Sequence, residues 1–573
     1  MVATVDIDGP RLKVEFGYNP IAIDAIKQIS GRKFVPKDRG GPHWTIPANM
    51  RNARRLRDIF GEQLRLTDEA KAWGRNARNA EEKLLSVAGA DDAQLERLPT
   101  LAPDLFGLVS TRTYQRADIS FLAQTSALNA NQPGLGKTVE TLGGIIEAGM
   151  LDGPHLVIAP LTSLDTVWSY ELRRFQPHVV LVAGGADRHT SLRIAADSYK
   201  NGIPFWLVTN FDTLRGKDGE WLTEVDWTSV TIDEFHKAGL SNSKTKFSTR
   251  AFKLKAKRRY CLSGTPVGGK PIKLWSALHF LDPHSFSNKW NWAKEWLVTS
   301  NNGFGWDIRG IQEGKEDAFY QTLRPYMVRR TKDEVAPDLP PKTYVDVWCD
   351  MTKKQAKFYD AMATRYEIQI DEEHLSATNI LALYTRLKQF ADARCDIIAG
   401  NVAPTTDSGK LPALLDRLAE RGIDPDDPTG DAQAVVASQF KSVANMVARY
   451  LEECGIPVVL ISGDVKPKDR TEIVRSFQEK DGPRVMVIVT TAGGVAITLD
   501  QADSIHILDE TWTPDDQEQL EDRIHRVSRV HNVTVYKYRS NNSIEQYIAG
   551  VNFDKAMINR NILELRRKGI IHG

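Results

Sequence analysis

Long apolar runs are missing from this 573-residue chain: runs such as VVLIS and VMVIV are strand-length, well short of the roughly 20 residues that span a bilayer. The opening stretch MVATVDIDGPRLK has no apolar h-region, so it does not read as a secretory leader. Cysteine is scarce. Cys261, Cys349, Cys395 and Cys454 stand far apart, in neither zinc spacing nor a disulfide pattern, and suit a reducing compartment as core thiols. Excess charge of either sign is missing as well. With 75 Lys and Arg against 74 Asp and Glu the net charge is +1, so a surface for a polyanion must be a local patch. Short-period repeats and long disordered tails are absent. These absences point to a soluble, cytoplasmic monomer that does not engage membranes, in a bacterial or viral setting more than a nuclear one.

What is present is an ordinary globular composition, 41% hydrophobic, long enough for roughly three or four domains. Residues 1–63 read as a small α+β unit: a strand Leu12 to Phe16, then Asn19-Pro20 as N-cap and first helical residue, then a hairpin. Between Lys27 and Arg57 stand nine basic residues against one acid, Asp38, with Tyr18, Phe34 and Trp44 nearby. Charge with interleaved aromatics suggests a nucleic-acid surface; a solvated helix face over core aromatics is the plainer reading. Residues 64–98 are charged, Ala-rich and helical, a connector.

From 99 to 270 apolar strand runs alternate with helical patterns (LVIAP, FWLVTN, VTIDE, RYCLSG), and from 405 to 573 the rhythm recurs (VVASQF, VVLISG, VMVIVTT, SIHILD, TVYKY). That is the βαβ signature of parallel sheets with covered faces. The fold class expected is α/β, with two parallel-sheet lobes. Between them, 271–404 is helical and Trp-rich and ends in APTTDSG, which fits a linker.

The stretch Ala130 to Thr138, ANQPGLGKT, reads as a phosphate-binding loop after the apolar, strand-compatible run Ile119 to Leu122. Gly134 and Gly136, flanking Leu135, let backbone N–H groups approach an anion, Lys137 reaches the β- and γ-phosphates, and Thr138 holds Mg²⁺ at a helix start. The strict pattern wants glycine where Asn131 stands, so the tail carries the signal; a Gly-rich turn before an ordinary helix is the alternative. Asp233 and Glu234, closing the strand VTIDE, stand where a doubly wound sheet places a metal ligand and a water-polarising carboxylate, and they continue as Phe235-His236. Leu262-Ser263-Gly264-Thr265-Pro266 ends a further strand with hydroxyls able to bond the acidic pair. Gln519 to Arg526 reads as a helix with Arg523 and Arg526 on one face, able to act as arginine fingers or simply to be solvated.

Over about residues 108–550 the chain resembles the Swi/Snf-type branch of superfamily 2 helicase-like ATPases. Tyr114-Gln115 resembles the adenine-reading Q motif, ANQPGLGKT motif I, VIAPLTSLDTVWSYELRRF motif Ia, VTNFDTLR motif Ib and DEFH the DEAH motif II. LSGTP with KLWSALHFLDP is similar to motif III, VRRTKDEV and LPPK to the arginine-rich linker, and VVASQF with ISGD to motif IV. TTAGGVAITLDQAD and DETWTPDDQEQLEDRIHR are similar to motifs V and VI. The resemblance implies two RecA-like lobes with helical insertions, ATP and Mg²⁺ as cofactors, Gln115 selecting adenine, and movement along duplex or branched DNA.

It also implies a DNA track of Pro160, Thr162, Ser163, Thr209, Asn210, Ser462, Gly463, Thr490, Thr491 and Gly493, whose hydroxyls and amides suit phosphate and not bases. Three departures stand out: Asn131-Gln132 where the family has an acidic pair, Thr498 where it has Asn, and Arg529 where it has Gln. VEFGYNPIAIDAIKQI, GRKFVP and HWTIP more loosely resemble the HARP domain of annealing helicases. The basic run Lys253 to Arg259 leads into the motif III strand, which favours a structural or DNA-facing role over a nuclear-localisation signal. A nucleic-acid scaffold with a decayed ATPase, another P-loop enzyme such as a metabolite kinase, and an RNA-directed helicase remain the alternatives.

Overall fold

The computed structural model describes residues 2–552 except 30, 239–244, 268–269, 302–305, 366, 371–372, 377–379, 399–400, 425–431, 466, 480, 491–498, 500, 513 and 526–530. The described residues divide into two compact units: unit 1 lies within 2–132 and 136–331, and unit 2 within 133–135 and 332–552.

Unit 1 begins with a five-stranded sheet of β1 (Ala3–Asp8), β2 (Arg11–Phe16), β3 (Lys33–Val35), β4 (His43–Pro47) and β5 (Leu64–Leu66), in the order β3-β4-β2-β1-β5. Helix α1 (Pro20–Lys27) starts where the sequence places it: Pro20 opens it and the Asn19 side chain accepts from the Ala22 amide at 3.0 Å. Helix α2 (Met50–Phe60) buries Leu56 and Phe60 against Val5, Leu12 and Val14, and leaves Arg54 and Arg57 exposed. A third helix, α3 (Asp68–Val87), follows under a Thr67 cap.

The larger sheet of unit 1 is wholly parallel. It comprises β6 (Ala127–Asn129), β7 (Pro154–Ala159), β8 (Val179–Ala183), β9 (Phe205–Asn210), β10 (Asp226–Asp233), β11 (Lys255–Leu262) and β12 (Met327–Val328), in the order β12-β6-β11-β10-β7-β9-β8. Alternation along its strands feeds two cores. Leu156 and Ile158 pack on one face, Val157 and Ala159 on the other. The run Ile119 to Leu122 is a correction: it lies in helix α4 (Thr113–Gln124), and the strand before the phosphate loop is the three-residue β6. Four consecutive apolar residues do not distinguish a buried strand from a helix buried on most sides.

Unit 2 carries a second wholly parallel sheet of β13 (Lys342–Cys349), β14 (Ala434–Ser438), β15 (Val458–Ile461), β16 (Val485–Val489), β17 (Ser504–Ile507) and β18 (Val533–Ser540), ordered β13-β18-β17-β14-β16-β15. Val436 and Val487 face one core, Val435 and Met486 the other. These are the two parallel-sheet lobes expected. The boundary drawn from sequence at 404/405 falls inside unit 2, because β13 pairs with β18 along its whole length. APTTDSG is likewise folded into unit 2: Thr405 N and Oγ1 donate to Arg394 O, and Ser408 Oγ donates to Asp392 O. Three of the four cysteines are buried and Cys454 is half-buried, all as free thiols. Among the described residues no helix is long and apolar enough to cross a membrane.

Candidate functional site

The phosphate-loop candidate joins β6 to helix α5 (Lys137–Glu147). Gly134 and Gly136 adopt φ of 87° and 98°, in the left-handed region that disfavours any side chain, and a Cβ at Gly136 would collide with the Gln115 amide. Gly136 is also the N-cap of α5 and brings no side-chain cap, so the first-turn amides point into the loop. Two more glycines bring Gln115 there. A Cβ at Gly143 would lie 2.9 Å from Ile119 Cδ1 and one at Gly144 2.7 Å from Leu122 Cβ, so α5 and α4 pack backbone to backbone and the buried Gln115 lies against the loop.

The loop's entry is tied down from outside. Ala130 N donates to Val328 O at 2.8 Å and Gln132 N to Arg330 O at 3.0 Å, extending the β12 pairing. Arg329 Nη1 donates to Ala130 O at 2.5 Å and to Gly264 O at 2.9 Å, joining the loop to the Ser263-Gly264-Thr265 turn.

Asn131, the departure from the expected acid, is fully buried in a polar network. Its Nδ2 donates to Asp118 Oδ2 at 2.8 Å and Glu140 Oε2 at 2.9 Å, and its Oδ1 accepts from Arg330 N at 2.7 Å. Burial first, then the Asp118 charge, pushes the Glu140 carboxyl up to about 8. A neutral donor between two buried carboxylates avoids the repulsion a third carboxylate would bring. Single-sequence reading missed this network, because Arg330 comes from 199 residues further along the chain and Asp118 from the separate helix α4.

Opposite the loop, the β10 strand delivers the acidic pair. Asp233 Oδ2 accepts from the Trp168 indole at 2.9 Å and Oδ1 from Glu234 N at 2.9 Å. Burial, then the neighbouring Glu234, pushes Asp233 up to about 6. Burial depresses the Lys137 ammonium, while Glu234 and Asp233 favour its charge, which places the three groups in one electrostatic cluster. Lys137 Nζ donates to Asn131 O at 2.9 Å. Glu234 adopts φ 47°, a strained conformation for a residue with a Cβ, of the kind that concentrates where a surrounding structure over-determines the backbone. The hydroxyls after β11 do not reach the acidic pair directly. Ser263 Oγ instead meets His236 Nδ1 at 2.8 Å, and that ring nitrogen lies 3.3 Å from Glu234 Oε2.

The donor set fits a nucleotide and a divalent cation: a glycine cradle at a helix start, a half-buried ammonium, and a carboxylate whose own burial disfavours its charge until a cation joins it. Thr138, half-buried in the first turn of α5, and Asp233 are the residues able to hold that cation.

In unit 2 the Arg523 helix reading needs correction. The helix α6 runs Pro514–Glu521, and Arg523 sits on the following turn, where its amide donates to Leu520 O three residues back. The turn is fixed by two lysines from the segment resembling the arginine-rich linker: Lys332 Nζ bonds Asp522 Oδ1 at 2.8 Å and His525 O at 2.6 Å, and Lys342 meets Glu521 and Asp522 at 3.0 and 2.9 Å. Arg523 is half-buried; Arg526 lies outside the described residues.

The proposed DNA track is mixed. Pro160 and Thr162 are half-buried, and the Ser163 hydroxyl, largely buried, donates back to Pro160 O at 2.9 Å. Asn210 Oδ1 caps the helix Phe211–Arg215. Thr209 is fully buried and donates to Ala183 O at 2.9 Å, so its hydroxyl holds β9 against β8 and does not face solvent. In unit 2, Ser462 is buried beside exposed Gly463, and Thr490, just after β16, has a buried hydroxyl with no hydrogen-bond partner among the described residues. Thr491 and Gly493, like Thr498 and Arg529, lie outside the described residues.

A family model of the SNF2-related domain matches residues 69–394, more than half of the chain. The chain belongs to the SNF2-related family. A model of the helicase conserved C-terminal domain matches residues 413–528 of this SNF2-related chain. It is 28% identical over 471 residues to "Probable ATP-dependent DNA helicase CHR23" of Arabidopsis thaliana, covering 78% of this chain and 43% of that protein. It is also 28% identical over 463 residues to "ATP-dependent DNA helicase DDM1" of the same plant, covering 76% and 59%. The SNF2-related chain thus spans about half the length of these curated relatives. Among solved structures it is similar to a Sulfolobus solfataricus SWI2/SNF2 ATPase core in complex with dsDNA, at 23% identity and a TM-score of 0.36, covering 82% of this chain and 99% of that one.

Proposed function

We propose that this chain is a DNA-dependent ATP hydrolase that translocates on duplex or branched DNA and remodels it, in the manner of annealing or fork-remodelling helicases active in DNA repair, replication and recombination. The observation that carries the reading is the cluster of Lys137, Asp233 and Glu234 beside a glycine cradle in a chain of the SNF2-related family. Relatives named as ATP-dependent DNA helicases support the choice of DNA over RNA.

Gln115 reads the adenine edge, and Gly134, Leu135 and Gly136 present amides to the phosphates. Lys137 places its ammonium against the β- and γ-phosphate oxygens. Thr138 and Asp233 are the ligands for Mg²⁺, which when bound supplies Lewis acidity to those oxygens. Glu234 orients the attacking water and accepts its proton, with His236, itself met by Ser263, beside its carboxylate. Arg523 and Arg526 offset charge on the transferring phosphoryl group. Pro160, Thr162, Ser163, Asn210, Ser462, Gly463, Thr490, Thr491 and Gly493 bear on the DNA backbone without reading sequence; Thr209 is left out because its hydroxyl is consumed inside the sheet. The N-terminal sheet with α2 is the proposed DNA-recognition domain. The decayed-ATPase alternative loses the support it drew from Asn131, since that side chain is engaged by Asp118, Glu140 and Arg330.

Phosphate release by the purified chain is the test, with duplex, single-stranded and forked DNA and RNA compared. Duplex and forked DNA are expected to stimulate most and RNA least. Lys137→Ala and Glu234→Gln are each expected to lower turnover by about 10²- to 10³-fold or more while DNA binding persists. Near-normal turnover in either variant sinks the assignment.

A further inference from the structure

Charge carries the contact between α2 and the helix Lys289–Trp296 of unit 1. Arg51 and Arg55, one turn apart on α2, both donate to the same oxygen, Glu295 Oε1, Arg55 at 2.8 Å. The Arg51 guanidinium also lies 5.6 Å from the centroid of Trp296, and Asn49 Nδ2, at the head of α2, donates to Ser285 Oγ at 2.7 Å. Two cations therefore share one anion.

A cavity of about 310 Å³ opens at this contact, lined among others by Gln28, Arg51, Arg55, Asn291, Lys294 and Glu295. The side chains of Arg51, Arg55 and Glu295 stay 34%, 33% and 31% exposed, so a ligand can reach all three. Each guanidinium has five N–H donors in a rigid fork, and a single shared carboxylate oxygen uses few of them. A phosphate group presents several oxygens to two forks at once, a better match of number and geometry. Burial works against the Arg55 charge, Glu295 works for it and Arg51 against it, so one more anion here relieves an existing imbalance. With a water's share of the liquid near roughly 30 Å³, the cavity has room for a phosphate and its ester substituents.

We propose that this cavity binds a phosphodiester of the DNA backbone, and that Glu295 fills the site as an internal stand-in until DNA displaces it. The inference rests on the reading of the chain as a DNA-directed ATPase and narrows its N-terminal DNA contact to one place.

Duplex binding by the whole chain, measured by anisotropy across a salt series, tests it. Glu295→Gln keeps the shape and an acceptor oxygen but removes the competing charge, so affinity at low salt rises severalfold. Arg51→Ala with Arg55→Ala weakens binding and lowers the slope of log affinity against log salt by about 1, the value for one phosphate contact. In the triple variant the gain from Glu295→Gln disappears. A Glu295→Gln chain that binds as the parent does, or a gain that survives loss of both arginines, overturns the proposal. So does an effect seen only in competition with inorganic phosphate, which would make the occupant a free anion and not DNA. A parent chain that neither binds DNA nor is stimulated by it overturns the functional reading as well, whereas a parent that binds with unresponsive variants overturns this site alone.

Discussion

In unit 1 the charged groups singled out for chemistry gather at the carboxyl edge of the sheet, where Lys137, Asp233 and Glu234 face one another beside a strained backbone. Unit 2 has the same kind of sheet but turns its charges inward. Lys410 Nζ is buried against Asp392 and Glu545 at 2.8 Å each and Leu508 O at 2.6 Å, Lys388 donates to Glu510 O, and Arg539 meets Glu510 at 2.6 Å. Burial opposes the Lys410 charge, yet Asp392 and Glu545 hold its pKa above the ordinary lysine value; burial and the neighbouring carboxylates raise Asp392 well above its own. One sheet keeps its charges where a ligand can complete them, and the other completes them internally. The difference teaches that a lysine in this chain is left open to a ligand or made a strut according to whether its anionic partners are already in place.

The sharpest way to break that comparison is to neutralise one lysine in each unit. Lys410→Met strands two buried carboxylates and is expected to destabilise unit 2 by about 3–5 kcal/mol, with most of the loss recovered when Asp392→Asn and Glu545→Gln are added. Lys137→Met should leave the unfolding midpoint close to the parent. Chemical denaturation reads both, and equal losses would erase the distinction.

A property the two sheets share gives the next largest effect. His155 stacks on Trp206 with centroids 4.1 Å apart and meets Ser229 Oγ at 2.7 Å; His506 stacks on Tyr536 at 4.7 Å and meets Ser504 Oγ at 3.1 Å. Burial pushes each imidazole down to about 3. The folded state therefore keeps both neutral while the unfolded chain takes up protons near pH 6.5. Their stability contribution is full above that pH and falls on acidification toward pH 3, by about 2 kcal/mol per histidine at pH 5. Denaturation midpoints between pH 7 and 5, with His155→Gln and His506→Gln flattening the dependence, check it; a flat parent profile counts against both sites.

The smallest effect separates structure from DNA contact within unit 1. Thr209→Val should cost about 1 kcal/mol of stability through the unmet Ala183 carbonyl and leave DNA affinity unchanged. A specific loss of DNA binding would return Thr209 to the track.

Much of the site was legible because its signals are local. The glycines at 134 and 136 are demanded by φ, the helix that Lys137 and Thr138 open needs no side-chain cap, and Asp233-Glu234 closes an apolar strand. The strand runs of both sheets announce themselves as β-branched segments buried on both faces. The Ile119 to Leu122 run misled because its period is shorter than the window that separates helix from strand, and Arg523 because the helix ends under ion pairs made by Lys332 and Lys342, nearly two hundred residues earlier.

The sequence by itself determined that two parallel sheets follow a small basic domain, and which residues are candidates for phosphate and metal chemistry, since these depend on backbone preference and on neighbours within a turn or strand. Only the tertiary structure decided why Asn131 can replace an acid, that Thr209 turns inward, that Trp168 holds Asp233, and that Glu295 sits between Arg51 and Arg55. Each of those outcomes depends on the charge and burial contributed by residues of other helices and strands, which no pattern within one element carries.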